Sequence, residues 1–422
     1  MKQLLGIPAF ARLWVAAFFG ETAEWMLQVA LPVYVFQRTG SAATTALSIV
    51  LGLLPAVLLS PVAGVVADRW NRRAVLFGVC CGLAVVALPL LADPGVTVVY
   101  AVLAAQAALA SVFEPARNAL VPELVGVDEV TGANGLMSVN GSVARLAGGW
   151  AGGALLGFGG LADVVTGYLA VLAVAAALLA KPFRRVAAPA PALSPVREPV
   201  VRAWLAGLRE LTHNRRLWRT GLVLVFTSLA QGMFLVLFVV YVLDVLGGSE
   251  ADAGLLRGVQ AVGGLAAGFA LATVARRVAP AALLGWGSLG MGLLSAVIWN
   301  LASVTTALGV YVGLFVLVGA PGVVVGAGVL SEIQSAVAPD RAGRVLSTTF
   351  AAVATFTTVG ALLAGTLVAT TGPAVLLNVQ AGVYVLAGIL ALVRKSRFRV
   401  ASPAAVVTVE GCRTSSPPAT ST

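Results

Sequence analysis

Twelve apolar stretches, each long enough to cross a bilayer, follow one another through this chain and leave room for little else. About twenty apolar residues span the hydrocarbon of a membrane as a helix. The stretches fall at 12–36, 43–67, 74–92, 96–117, 133–158, 161–180, 220–243, 252–275, 281–300, 304–329, 346–370 and 374–393. Charged or Gly/Pro-rich breaks separate them, among them Asp93-Pro94-Gly95, Gly159-Gly160 and Thr371-Gly372-Pro373. The expected class is an all-α membrane protein with twelve transmembrane helices. Composition agrees: 59% of the 422 residues are apolar and 10% charged, against roughly a quarter charged in a soluble domain. The first segment, Phe10 to Phe36, contains Glu21 and Glu24 and no short apolar core with a small-residue cleavage site, so it reads as a span rather than a cleavable signal.

The net charge of +10 is spread between spans and forms no aromatic-interleaved patch, which points to a lipid bilayer and away from nucleic acid. Lys and Arg collect on the cytoplasmic side of membrane proteins. With the N-terminus inside, 24 of the 27 fall on that side, so both termini are expected in the cytoplasm. Arg-heavy, Lys-poor usage with much Ala, Gly and Val suits a bacterial inner (cytoplasmic) membrane. Cys80 and Cys81 are adjacent inside a span, Cys412 lies in the tail and His213 lies in a basic linker, so neither a metal cluster nor a catalytic histidine is indicated.

Residues 181–219 part six spans from six, giving expected bundles at 1–180 and 220–395 and a tail at 396–422. Pro182 to Pro199 reads as irregular. From Val200 on, Val201, Trp204, Leu205, Leu208 and Leu211 recur at helical spacing among arginines, as in a helix lying on a membrane surface. The tail, rich in Pro, Ser and Thr, is expected to be disordered. The halves echo one another: Gly64 precedes Arg72-Arg73 as Gly268 precedes Arg276-Arg277, and Pro122-Glu123 has a counterpart in Pro339-Asp340. Such duplication marks transporter folds.

Two groups of polar residues stand out. The loop Gly64 to Arg73 holds Asp68, Arg69, Arg72 and Arg73, which must turn at a membrane surface; Asn71 tolerates a left-handed backbone there. Its arginines serve topology, but Asp68 has no equivalent in the second half, where Ala272 stands, so the loop is also a candidate gate. Inside the spans, Glu21, Glu24 and Gln28 share one face of the first helix. Glu24, Gln106, Arg145 and Gln231 fall near mid-depth, where ionisable groups mark functional sites. Glu24 and Arg145 are expected to pair, either as a static tie or as a carboxylate alternating between a proton and a cationic or polar substrate. Arg257, near the outer end of its span, is expected to reach outward to Glu250 or Asp252.

Six plus six spans, a basic central linker and G-x-x-x-D-R-x-N-R-R between spans two and three resemble the major facilitator superfamily, whose loop usually has Gly where Asn71 stands. The resemblance implies two pseudo-symmetric six-helix bundles. Phe113 to Arg117 (F-E-P-A-R), Val121 to Val125, Ala133-Asn134, Arg145 and Pro339 to Arg344 are similar to the drug:proton antiporter branch that includes macrolide-efflux proteins and the enterobactin exporter. Span five departs from that branch's Gly-Pro motif with Gly148-Gly149-Trp150-Ala151-Gly152-Gly153. The resemblance implies that Asp68 packs near Val345 to Thr348 when the cytoplasmic side closes, that Arg72 pairs with Glu114 beside Arg117, and that these contacts favour the outward-facing state.

Together these readings predict a monomeric secondary transporter that exports a hydrophobic or amphipathic small molecule and takes no cofactor, a proton gradient supplying the energy. No phosphate-binding loop or catalytic constellation is visible, so ATP hydrolysis and enzymatic chemistry are not expected. Nutrient uptake is the alternative, and a non-transporting sensor a more distant one. Asp68→Asn is expected to abolish transport while the amount of protein in the membrane stays unchanged; normal flux through the variant would count against the gate.

Overall fold

A computed structural model of the chain describes residues 2–125, 129–183, 209, 214–274, 278–337 and 339–393. Most of the linker, with its expected surface helix, and the tail lie outside them. After a short turn at Lys2–Leu5, the helices are α1 (Pro8–Thr39), α2 (Ala42–Arg69), α3 (Arg72–Ala87, extended by a 3-10 turn Leu88–Ala92) and α4 (Val96–Val125). The run Val130–Ala180 breaks at Gly160, which has φ 78° and ψ −164°, so its two arms are α5 (130–159) and α6 (161–180). Then come α7 (Arg215–Val240, extended by a π turn Tyr241–Val245), α8 (Glu250–Val274), α9 (Pro280–Leu301), α10 (Leu308–Ala336), α11 (Pro339–Thr371) and α12 (Pro373–Leu392). Each expected span has its helix. Nine helical runs among the described residues are long and apolar enough to cross a membrane, the broken one counting for two spans.

Several helices overrun their expected spans at the end that carries the 70–73 turn, here the basic end. α4 continues through Pro115 and Pro122 to Val125, and α7 starts at Arg215 rather than near 220. Hydrophobicity marks where a helix meets lipid; hydrogen bonding lets it run on into water. Asn71 takes φ −62° and ψ 109° and caps α3, its side chain accepting from the Arg73 and Ala74 amides at 3.2 and 3.3 Å. It is an N-cap, not the left-handed turn residue expected, and that explains an Asn here.

Helices α1–α6 form one bundle and α7–α12 the other. They meet along two related seams, α5 on α8 and α2 on α11. Glycine doublets make the first seam. Gly149 and Gly153 lie on Gly254 and Gly258 so closely that a Cβ at Gly254 would fall 2.9 Å from the Gly153 Cα. The other members of the doublets, Gly148 and Gly152, face the α1 backbone, and a Cβ at Gly152 would fall 2.9 Å from the Met26 Cα. One helix thus presents two flat faces, and neither needs the proline that span five lacks. Lipid offers no hydrophobic drive between helices, so this close backbone contact carries the association. At the second seam Gly365 lies on Ala42 and Ala46.

These contacts all sit toward the end opposite the basic one, where Gln37 also donates to Glu250. Nearer the basic end, Gly135 of α5 and Gly268 of α8 have open space beside them. Among the described residues the halves are therefore joined toward the opposite end, and nothing packs on Gly135 or Gly268. Gly153→Val is expected to force the α5–α8 seam open. Alkylation of a cysteine introduced as Ala46→Cys, buried beside Gly365 in this state, should then quicken several-fold in protein lacking Cys81; an unchanged rate in folded protein would show that the seam does not hold this end shut.

Candidate functional site

The single face of α1 predicted from the spacing of Glu21, Glu24 and Gln28 opens onto a cavity of about 410 Å³. Besides these three, Trp25, Gln106, Phe113, Glu114, Arg117 and Tyr168 line it, so all of its walls come from the first bundle. Glu24 sits midway along α1 and is exposed to this open space, and its carboxylate accepts from the Gln28 amide at 2.8 Å. Gln106 is held by two bonds, donating to the Leu83 carbonyl at 2.9 Å and accepting from the Tyr168 hydroxyl at 2.8 Å.

The expected Glu24–Arg145 pair is not formed. Arg117 pairs with Glu21 instead and reaches Glu114 at 3.7 Å. Its place one turn after Glu114 in F-E-P-A-R lets one guanidinium face both acids. The Glu21–Arg117 side chains are only 14% and 12% exposed, so the pair is shielded from solvent. Arg145 stacks on Trp25, 5.6 Å from the ring centroid, and its Nε is buried with no hydrogen-bond partner. Arg257 does not reach out to Glu250 or Asp252. It turns inward over Phe234 at 5.1 Å and lines a second cavity of about 110 Å³ between the bundles, with Trp25, Gln28, Ile49, Leu235 and Phe238. Trp25 and Gln28 stand at the junction of the two cavities. Gln231 lies apart in the second bundle, where it accepts from Tyr384 at 3.0 Å.

The candidate gate divides. The side chains of Asp68 and Arg69 and the surroundings of Gly64 lie outside those described, and so does any contact of Asp68 with α11. Arg72 pairs with Glu123 at 2.5 Å and donates to the Ala119 carbonyl at 2.8 Å, rather than meeting Glu114. Arg73 donates to the Leu179 and Ala180 carbonyls at 2.8 and 2.5 Å, and Arg12 to those of Leu178 and Lys181. Two cations thus cap the carbonyl end of α6, where the helix dipole favours them. In this state both loop arginines tie the first bundle together at its basic end. Glu114 is drawn away from Arg72 because α4 continues two further turns and places Glu123 beside α3 instead.

A cavity lined by apolar side chains and a few ionisable ones, within one bundle of a twelve-helix pair, suits a carrier of small molecules. Comparison with known proteins is decisive on the family: the sequence model of the Major Facilitator Superfamily matches residues 13–356. The chain belongs to the Major Facilitator Superfamily. It is similar to macrolide efflux protein A of Streptococcus pyogenes, 27% identical over 127 residues, which is 29% of this chain and 31% of that protein. It is also 26% identical over 134 residues to the MFS-type transporter YfiS of Bacillus subtilis, 32% of each chain. The chain thus matches about a third of the length of these relatives. Among solved structures, the nucleoside transporter NupG superposes with a TM-score of 0.74 at 12% identity, covering 91% of this chain and 98% of that one. A bacterial homologue of the iron transporter ferroportin in its inward-facing state gives 0.66 at 17%, with coverage of 91% and 98%. At such identities the superpositions speak for the fold alone.

For this superfamily transporter the Glu21–Arg117 pair is the main tie across the cavity between α1 and α4. Arg117→Gln leaves Glu21 buried and uncompensated, a change expected to cost on the order of 3–5 kcal/mol. Thermal unfolding should show the loss, and Glu21→Gln combined with Arg117→Gln should recover most of it. A double variant no better than Arg117→Gln alone would place the arginine's contribution elsewhere.

Proposed function

We propose that this transporter exports a hydrophobic or amphipathic small molecule in exchange for protons, with its basic end in the cytoplasm. On that orientation the open space beside Gly135 and Gly268 lies toward the cytoplasm, which supports an inward-facing reading of this state. The observation that carries the reading is Glu24: a carboxylate midway along α1 that faces the cavity and is met by Gln28 rather than by an arginine. Glu21 is already committed to Arg117, which leaves Glu24 as the acid whose partner can change. A carboxylate cannot hold a proton and accept from a substrate's donor with the same lone pairs. Loading one therefore releases the other, and that exclusion is the coupling. The apolar part of the substrate has Leu27, Leu31, Leu53, Leu103 and Phe113 to lie against. The likeness to macrolide efflux protein A supports export, on the third of each chain that it covers.

The seams suit the cycle. Glycine and alanine faces have no interlocking side chains to unpick, so a bundle can rock across them, and closing the basic end would bring Asp68 toward the start of α11. Efflux measured with and without an uncoupler tests the whole reading. Wild-type cells should accumulate more substrate when the gradient collapses, whereas an uptake carrier would accumulate less. In proteoliposomes Glu24→Gln should lose flux driven by a pH gradient while still exchanging substrate down its own gradient. Intact proton-driven flux in that variant would exclude Glu24 as the coupling group.

A further inference from the structure

The two arginines between the bundles stand where a cation is hardest to keep. Arg145 comes from α5 and Arg257 from α8, on opposite sides of the α5–α8 seam. The Arg145 Nη2 lies against α8 at Gly264, where a Cβ would fall 3.6 Å from it, and Arg257 is seven residues away on the same helix. That is two turns, or about 10 Å along the axis, which puts Gly264 and Arg257 on the same face of α8. Among the described residues neither has an ion pair or a hydrogen bond; each meets only an aromatic face, Trp25 or Phe234. The acids of the site are held elsewhere. Glu21 and Glu114 turn to Arg117, and Glu24 to Gln28, on the other side of the junction at Trp25.

Keeping one guanidinium unpaired inside a membrane-spanning bundle is costly, and keeping two along one seam costs more. A structural role would have supplied a carboxylate. What fits instead is an absent anion. Guanidinium forks match the two oxygens of a carboxylate, while Trp25, Leu235 and Phe238 offer an apolar wall beside Arg257. We propose that Arg145 and Arg257 together bind the carboxylate of an amphipathic organic anion, whose apolar body extends past Trp25 into the larger cavity. This deepens the reading of the chain as an exporter by naming its substrate class, and it rests on the substrate path running through these cavities. Because each bundle contributes one arginine, the bound anion would also bridge the halves.

The test is calorimetric binding to the purified full-length protein in detergent, using a matched series: phenylbutyrate, phenylbutyramide and phenylbutylamine. The carboxylate should bind, with the amide and the amine weaker by on the order of tenfold or more, the loss expected for a charge-assisted pair. Arg145→Gln and Arg257→Gln should each weaken phenylbutyrate by a similar factor, and Arg257→Lys by less. A second measurement guards against misfolding. Without ligand, Arg257→Gln removes an unpaired cation and should melt no lower than wild type, whereas an arginine held for structure would melt lower once removed. Absence of phenylbutyrate binding, equal binding of the amine, or unchanged affinity in both glutamine variants would overturn the proposal. No proton gradient is present in these measurements, so they are independent of direction and coupling. Anion binding without uncoupler-sensitive efflux would sink the export reading and leave the site standing; efflux of a neutral or cationic compound without anion binding would do the reverse.

Discussion

The structure depends on how closely two backbones can approach in a medium that gives helices no hydrophobic reason to associate. α5 meets α1 on one face and α8 on the next, and both contacts are backbone against backbone because Gly148, Gly149, Gly152 and Gly153 put nothing in the way. The first contact is internal to a bundle and the second crosses between bundles. The same four residues therefore pack one half together and join it to the other. The related contact of Gly365 with Ala42 and Ala46 completes the pair of seams.

On this frame the halves divide their labour. The first bundle holds the larger cavity, gathers Glu21 and Glu114 around Arg117 and leaves Glu24 to Gln28. In the corresponding interior of the second bundle, aromatic rings pack together: Tyr241 meets Trp299 at 4.8 Å between centroids, and Phe238 meets Phe315 at 5.5 Å. Charge is thus separated along the path, acidic in the first bundle and basic at the seam, with Trp25 and Gln28 between. A carrier whose two halves were equally polar would gain little from moving one against the other. Here a group bound at the proposed arginine site would touch both, so its arrival and departure would bear on how they sit.

Much of this was legible in the residues. The period and length of apolar runs returned all twelve helices, because a membrane-spanning helix must be apolar over its whole lipid-facing length. Helical geometry alone placed Glu21, Glu24 and Gln28 on one face, and that face does line the cavity. Pairing was not legible. Glu24 with Arg145 was plausible by depth and Arg72 with Glu114 by family resemblance, and the structure makes neither, because depth or likeness fixes one coordinate and a salt bridge needs three. Arg257 shows the same limit: its distance from a helix end suggested an outward reach, but its azimuth points it inward over Phe234.

By itself, then, the sequence determined what lipid enforces: helix number and order, the duplication, the basic loops, and which residues share a face of one helix. These follow from rules that act along the chain. Only the tertiary structure decided which acid meets which base, which arginines are left with aromatic faces for company, and where two bundles touch. Those depend on the rotation of each helix about its axis, and that rotation is set by packing against neighbours far away in sequence.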